Sequence, residues 1–170
     1  MACASTPRVF ESRFTQEYFP SSDGTFRFKL PAGWINATTD SPSVNTVVWL
    51  VRSDFAAMLV VREVVIDSVT RWDIRKSGLG RLGDLMLALA RSESGASIVK
   101  QPQRSSVAGG IDGCTYEYIA GHPGDRVHVV LVSTGSRVYE VSSRMKESMD
   151  EEASDGIISL QEAFVRNVLW

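Results

Sequence analysis

The chain has 170 residues, of which 44% are hydrophobic and 22% are charged, and its formal net charge at pH 7 is −2. A chain of this length and composition is expected to fold as one globular domain around its own hydrophobic core. Its near-neutral charge offers no broad basic field, so nucleic acid is not expected as a partner. The sequence has no apolar run as long as a membrane-spanning helix requires, which is about 18 residues.

The first 22 residues are interpreted as an N-terminal extension, and residues 23–170 as a single domain. Phe10, Phe14 and Tyr18 recur every four residues, which suits a short helix, although the alternation of residues also allows a strand. Ala2-Cys3, followed by small polar residues and a proline, resembles the end of a bacterial lipobox. In this interpretation a lipid on Cys3 holds the domain at the cell envelope. Alternatively, Met1 is the native start and the domain is cytoplasmic.

The first part of the domain predicts β-structure. Residues 25–30 alternate between apolar and polar side chains, which indicates a half-buried strand. Residues 46–51 and 58–66 are rich in β-branched side chains and are predicted to form a hairpin. A polar loop, residues 36–45, precedes this hairpin.

The remaining elements are two helices with four strands between them. Leucines at spacings of three and four predict a helix over roughly residues 72–93, which ends at Gly95. A closing helix is predicted over 156–168, with Ser154 or Asp155 as its N-cap, after an acidic loop at 146–155. The intervening strands are predicted at residues 97–101, 114–120, 127–133 and 137–143.

This order of elements predicts an α+β fold. Most consecutive strands are joined by short turns, so the six- to seven-stranded sheet should be largely antiparallel. The two main amphipathic helices must pack on that sheet to bury their apolar sides.

One segment resembles a known family. Residues 26–34 spell F-x-F-x-x-P-x-G-W, with Phe26, Phe28, Pro31, Gly33 and Trp34 at the named positions. This resembles the opening of the PsbP-like or Mog-type fold, which includes photosystem II extrinsic proteins, a yeast Ran-binding protein and bacterial envelope lipoproteins. Spaced apolar positions in the strands at 112–118 and 137–141 and in the closing helix are similar as well. The resemblance implies a non-catalytic binding or assembly module with a protein partner and no cofactor. A related branch, the chaperones of type VI secretion effectors, implies a cytoplasmic adaptor instead.

The sequence also contains G-x-G-x-x-G, at residues 78–83. A dinucleotide site requires this motif directly after a strand. Here polar residues 71–77 precede it, which favours a helix whose small residues permit close packing.

No catalytic or metal-binding residue is predicted. His122 precedes a proline in a loop and should be exposed, while His128 alternates with valines and is expected on the solvent side of its strand. Cys114 lies inside a predicted strand, where a buried cysteine is the usual role. The competing hypothesis is an enzyme with an unrecognised pocket that uses Cys114 or His128.

The predicted partner-binding residues lie at the start of the first helix. Trp72 stands among Arg71, Arg75 and Lys76. Aromatic residues and arginine are enriched at protein interfaces, so this cluster indicates a partner surface. A hydrophobic contact that fixes the start of the helix is the alternative. Trp34, after the Pro-x-Gly turn, is predicted to lie in the core.

Overall fold

The computed structural model describes residues 14–41, 43–107 and 110–170. The described residues form nine strands and three helices, together with one 3₁₀ turn at Thr38–Asp40. The strands are β1 (Phe14–Pro20), β2 (Arg27–Pro31), β3 (Trp34–Asn36), β4 (Thr46–Arg52), β5 (Ala57–Glu63), β6 (Ser97–Val107), β7 (Ile111–Ile119), β8 (Arg126–Ser133) and β9 (Val138–Met145). The helices are α1 (Ser68–Ser77), α2 (Gly80–Ser94) and α3 (Glu151–Asn167).

Seven of these strands form one antiparallel sheet in the order β3-β4-β5-β9-β8-β7-β6. Strands β1 and β2 form a separate antiparallel ribbon. The predicted α+β fold and its antiparallel sheet are therefore confirmed. The pairing of β5 with β9 brings together strands that are far apart in the chain, because α1, α2 and β6–β8 lie between them in sequence.

The two faces of the sheet are covered by different helices. On one face, α3 and the β1–β2 ribbon bury a core in which the rings of Phe28 and Phe164 lie 5.8 Å apart. Trp34 is buried in this core, as predicted. On the other face, α1 and α2 pack over the β6–β8 side with Ile74, Leu79 and Leu82 in their core.

The predicted helix over residues 72–93 is two helices instead of one. The first begins earlier, at Ser68, and ends at Ser77, followed by Gly78 as its C-cap, whose φ of 77° lies in the region that favours glycine. The G-x-G-x-x-G motif thus follows a helix and not a strand. A Cβ at Gly83 would lie only 2.9 Å from Cys114 Sγ and 3.0 Å from Pro102 Cβ, so this glycine serves close packing, as expected.

The predicted start of the closing helix is wrong. Helix α3 begins at Glu151, and its N-cap is Asp150, whose carboxylate accepts a hydrogen bond from Ala153 N at 2.7 Å. Neither Ser154 nor Asp155 caps it, because both already lie inside the helix. Half of the predicted acidic loop is thus the first turn of α3, where negative charge is favourable.

Residues 14–20, in the segment interpreted as an N-terminal extension, form a strand and not a helix. This strand, β1, pairs with β2, and Phe14 is buried in the core. Cys3 lies outside the described residues. None of the described helices is long and apolar enough to cross a membrane.

Candidate partner-binding surfaces

Helix α1 buries one side chain and leaves two large apolar side chains exposed. Asp67 caps the helix by accepting a hydrogen bond from Thr70 N at 2.7 Å, and Ile74 is its only buried side chain. Val65, Val69 and Trp72 are 80%, 68% and 60% exposed. Val69 and Trp72 are three positions apart in the helix and therefore neighbours on its surface.

Two cations lie beside these apolar side chains. Lys76 Nζ lies 5.0 Å from the centroid of the Trp72 ring, which is cation–π distance, and exposed Arg75 is three positions from Trp72. Neither cation forms a salt bridge with any carboxylate in the part of the chain that the structure describes. Arg71, by contrast, donates a hydrogen bond to Ser136 O at 3.0 Å and is held against the β8–β9 turn. We call Val65, Val69, Trp72, Arg75 and Lys76 the α1 patch.

A second surface lies where the α2 side of the sheet is uncovered. The strand register places Met58 opposite Arg144, Val60 opposite Ser142, and Arg62 opposite Glu140. Directly opposed residues of antiparallel strands point to the same face, so these six side chains form an array on β5 and β9. We call this array the sheet groove. Tyr118 borders it on the β7 side, and Trp49 and Val51 extend it onto β4.

The groove presents positive charge to solvent. Arg62 Nη2 lies 2.9 Å from Glu140 Oε2, with the Arg62 side chain 48% exposed and that of Glu140 only 4%. Burial lowers the pKa of Arg62, but the Glu140 carboxylate outweighs this and holds the pKa above its ordinary value. Arg144 Nε lies 3.6 Å from Asp125 Oδ2, a second carboxylate that is mostly buried. The acids are therefore covered while the guanidinium groups remain accessible.

The cavities at this groove are small. One of about 230 Å³ lies between Met58, Tyr118 and Arg144, and one of about 130 Å³ lies between α2 and Arg62. Small-molecule sites usually enclose roughly 300–1,000 Å³. The shape thus suits the side chains of a macromolecule better than a free small ligand.

The residues of the enzyme hypothesis do not come together. Cys114 and Glu117 lie an odd number of residues apart on β7 and therefore point to opposite faces, and Glu117 is opposite His128. His128 thus lies across the sheet from Cys114. Burial, with smaller contributions from Asp84 and Asp112, raises the pKa of the Cys114 thiol to about 11, which disfavours the reactive thiolate.

The expectation that His128 faces solvent is wrong. Both faces of β8 are covered, and His128 is buried beneath α3, with its Nδ1 2.9 Å from Gln161 Oε1. Gln161 also accepts a hydrogen bond from Ser143 Oγ and donates to the carbonyl oxygens of His128 and Val141. This network joins α3 to β8 and β9. His122 is exposed in its loop, as predicted.

Two wider clefts, of about 440 and 480 Å³, lie beside Trp170 and beside Trp34. Neither is lined by a histidine or a cysteine. Within residues 14–41, 43–107 and 110–170, no group of three His, Cys, Asp or Glu side chains could hold a metal ion.

No family model matches the sequence, and no curated protein matches it either. Solved structures do match. The cyanobacterial PsbP protein CyanoP of Synechocystis sp. PCC 6803 superposes with a TM-score of 0.61 at 14% identity, covering 99% of both chains. The Ran-binding protein Mog1p of Saccharomyces cerevisiae superposes with a TM-score of 0.56 at 15% identity, covering 91% of this chain and 95% of Mog1p. The chain has a PsbP/Mog-like fold.

The resemblance carried by residues 26–34 is therefore confirmed for the fold. In this PsbP/Mog-like domain, the residues of the 26–34 motif form part of the core and of the turn into β3. Phe26, just before β2, and Phe28, within β2, are both buried in the core, and Gly33, at a φ of 79°, turns the chain into β3. At 14–15% identity the likeness shows the fold alone.

Proposed function

We propose that this PsbP/Mog-like domain is a non-catalytic protein-binding module, and that its partner docks on the α1 patch. The observation that carries the proposal is the exposure of Val65, Val69 and Trp72 beside two cations that are free of salt bridges among the described residues. Contiguous apolar surface on a folded domain typically marks an interaction site. Tryptophan is also the residue type most enriched among the residues that dominate binding energy.

The fold supports the same class of function by analogy. Mog1p, which shares this fold, is a Ran-binding protein. Function follows from sites and not from folds, so this likeness supports protein binding in general and no particular partner.

The patch defines the chemistry of its partner. Trp72 requires an apolar socket, and Arg75 and Lys76 favour carboxylates around that socket. We therefore expect a protein whose docking face combines an apolar pocket with an acidic rim.

We also propose that the domain is a lipoprotein held at the cell envelope by a lipid on Cys3. The support is the sequence Ala2-Cys3 and the small polar residues after it. If this is correct, the gene encodes an apolar signal stretch before Ala2, and Cys3→Ser abolishes labelling of the protein by a fatty-acid analogue in cells. A start codon at Met1 with no lipid label would instead favour the cytoplasmic chaperone-like adaptor.

Site-specific crosslinking tests the binding surface. A photoreactive amino acid replaces Val69 in one variant and Phe55 in the control, because Phe55 is a similarly exposed apolar residue in the β4–β5 turn. We expect the probe at position 69 to trap a specific partner, and the probe at position 55 not to trap it.

The identified partner is then purified and titrated calorimetrically. Trp72→Ala should weaken its binding by about 2 kcal/mol, roughly thirtyfold, as expected for a central interface residue. Phe55→Ala serves as the matched control and should leave the affinity unchanged. Equal affinities of the wild type and Trp72→Ala would show that the α1 patch is not the docking surface.

A further inference from the structure

We propose that the sheet groove is a second docking surface, which accepts an acidic amphipathic helix of a protein partner alongside α2. This surface is separate from the α1 patch and does not depend on the function proposed for that patch.

The sheet groove is about as wide as one helix. Helix α2 packs on β6 and β7, and the groove occupies β5 and β9, with β4 beyond them. At about 4.8 Å between neighbouring strands, β4, β5 and β9 span roughly 10–14 Å. An α-helix with its side chains is about 10–12 Å wide. A single helix therefore fills this part of the face.

The floor of the groove has the side chains that a helix packs against. Met58 and Val60 are only partly buried, and Trp49 and Val51 lie directly opposite Val60 and Met58 on β4. The apolar stripe of an amphipathic helix would cover these four side chains. Ser142, the small residue opposite Val60, leaves space in the middle of the groove.

The two arginines define the charge and spacing of the occupant. Arg144 lies four residues along β9 from Glu140, the residue opposite Arg62, which corresponds to about 14 Å. A helix covers this distance in about nine residues. Because arginine side chains are long, carboxylates seven or eight residues apart on one helix face would reach both. Glu93 of α2 is an acid lining the Arg62 end, so we expect the Arg144 end to contribute more of the charge recognition.

The N-terminal segment of this chain fits the groove less well. The chain's own first 13 residues contain Arg8 and Arg13 but only one acid, Glu11, so their charge does not complement the groove.

A phage-displayed library of 16-residue helical peptides, panned against the full chain, tests this inference. We expect enriched sequences to carry two acidic residues seven or eight positions apart, with apolar residues between them. Fluorescence anisotropy of a synthetic enriched peptide should show at least tenfold weaker binding to Arg144→Glu. Replacing the acid of the peptide that faces Arg144 by lysine should restore binding to that variant.

Ser142→Trp provides a second test, because the indole fills the middle of the groove without removing a charge. Binding should be lost while the thermal unfolding of the variant remains cooperative. A library that yields no binders, or binders without acidic residues, overturns the proposal. Peptides that still bind the Ser142→Trp variant but no longer bind the Trp72→Ala variant also overturn the proposal. Such peptides dock on the α1 patch, so this result leaves the function proposed for that patch intact.

Discussion

At the scale of single residues, Gly121 and Gly156 differ in how much room a side chain would have. A Cβ at Gly121 would lie 1.9 Å from the carbonyl oxygen of Ser94, whereas a Cβ at Gly156 in α3 would meet no atom within 4 Å. Gly121 therefore permits the close approach of the β7–β8 loop to the end of α2. Gly156 has no such role, and a glycine inside a helix only adds entropy to the unfolded chain.

We predict opposite effects for the two alanine substitutions. Gly121→Ala should lower the free energy of unfolding by about 2 kcal/mol or more, because backbone must move to admit the methyl group. Gly156→Ala should raise it by roughly 0.5–1 kcal/mol. Urea denaturation of both variants measures the change in the free energy of unfolding. An unchanged value for Gly121→Ala would mean that the β7–β8 loop does not approach Ser94 closely enough to exclude a methyl group.

At the scale of elements, α3 is fixed at its N-terminus by Asp150. Asp150→Ala should destabilise the protein by about 1 kcal/mol, the usual loss on removing a capping side chain. Asp155→Ala is the control, because Asp155 lies within the helix and its bond to Arg126 involves a mostly exposed carboxylate. Thermal or urea unfolding of both variants is the measurement. A larger loss of stability for Asp155→Ala than for Asp150→Ala would indicate that Asp155, as the sequence predicts, caps the helix instead.

Helix α3 also makes folding stability depend on pH through His128. Burial beneath α3 lowers the pKa of His128 from 6.5, despite the opposing effects of Gln161, Glu117 and Glu162. Below about pH 6.5 the unfolded chain therefore binds a proton that the folded protein excludes, and the free energy of unfolding falls as the pH decreases.

We expect a slope of at most about 1.4 kcal/mol per pH unit from this single proton. His128→Gln removes the titrating group and should flatten the pH dependence between pH 7 and the lowered pKa. Urea denaturation of the wild type and the variant at pH 7.5, 6.5 and 5.5 measures how the free energy of unfolding changes with pH. The same pH dependence in both proteins would contradict the assignment to His128. The buried carboxylate of Glu117 acts in a separate, more acidic range, because Arg126 and Lys100 outweigh its burial and lower its pKa.

The sequence predicts most of the secondary-structure elements but not where they break or which faces are covered. Alternation and leucine spacing predict most strands and both helical regions, because these patterns reflect one buried side. The leucine spacing does not predict the break at Gly78, because it indicates apolar positions but not the local turn at glycine. Alternation also gives the wrong environment for His128, because it shows which residues share a face of the strand but not whether that face is covered. The sheet groove could not be predicted, since it depends on the long-range pairing of β5 with β9.

At the scale of the whole molecule, the uncovered surface follows from how the helices share one sheet. Helix α3 and the β1–β2 ribbon close one face around Phe28 and Phe164, while α1 and α2 close the other face only on its β6–β8 side. The sheet groove lies on the part of that face that they leave open, across β9, β5 and β4. The α1 patch arises separately, because α1 turns only Ile74 inward and leaves Trp72 outside.

The position of β1 bears on where the domain begins. The sequence places that boundary at residue 23, but Phe14 is buried in the core and Phe19 lies opposite Phe28, with ring centroids 6.1 Å apart. Thr15 Oγ1 also accepts a hydrogen bond from Leu30 N at 3.1 Å. These contacts tie residues 14–20 to the remainder of the fold, so β1 should contribute to its stability.

Two truncations test this contribution. We expect a chain that lacks residues 1–20 to have a free energy of unfolding about 3 kcal/mol lower than a chain that lacks only residues 1–13, because burial of a Phe14-sized side chain alone is worth roughly 1.5–3 kcal/mol. Phe14→Ala in the full chain is the control that isolates this side chain, and it should reproduce most of the loss. Urea denaturation of all three proteins supplies the comparison. If the two truncated chains are equally stable, β1 belongs to the extension and the domain begins at residue 23, as the sequence predicts.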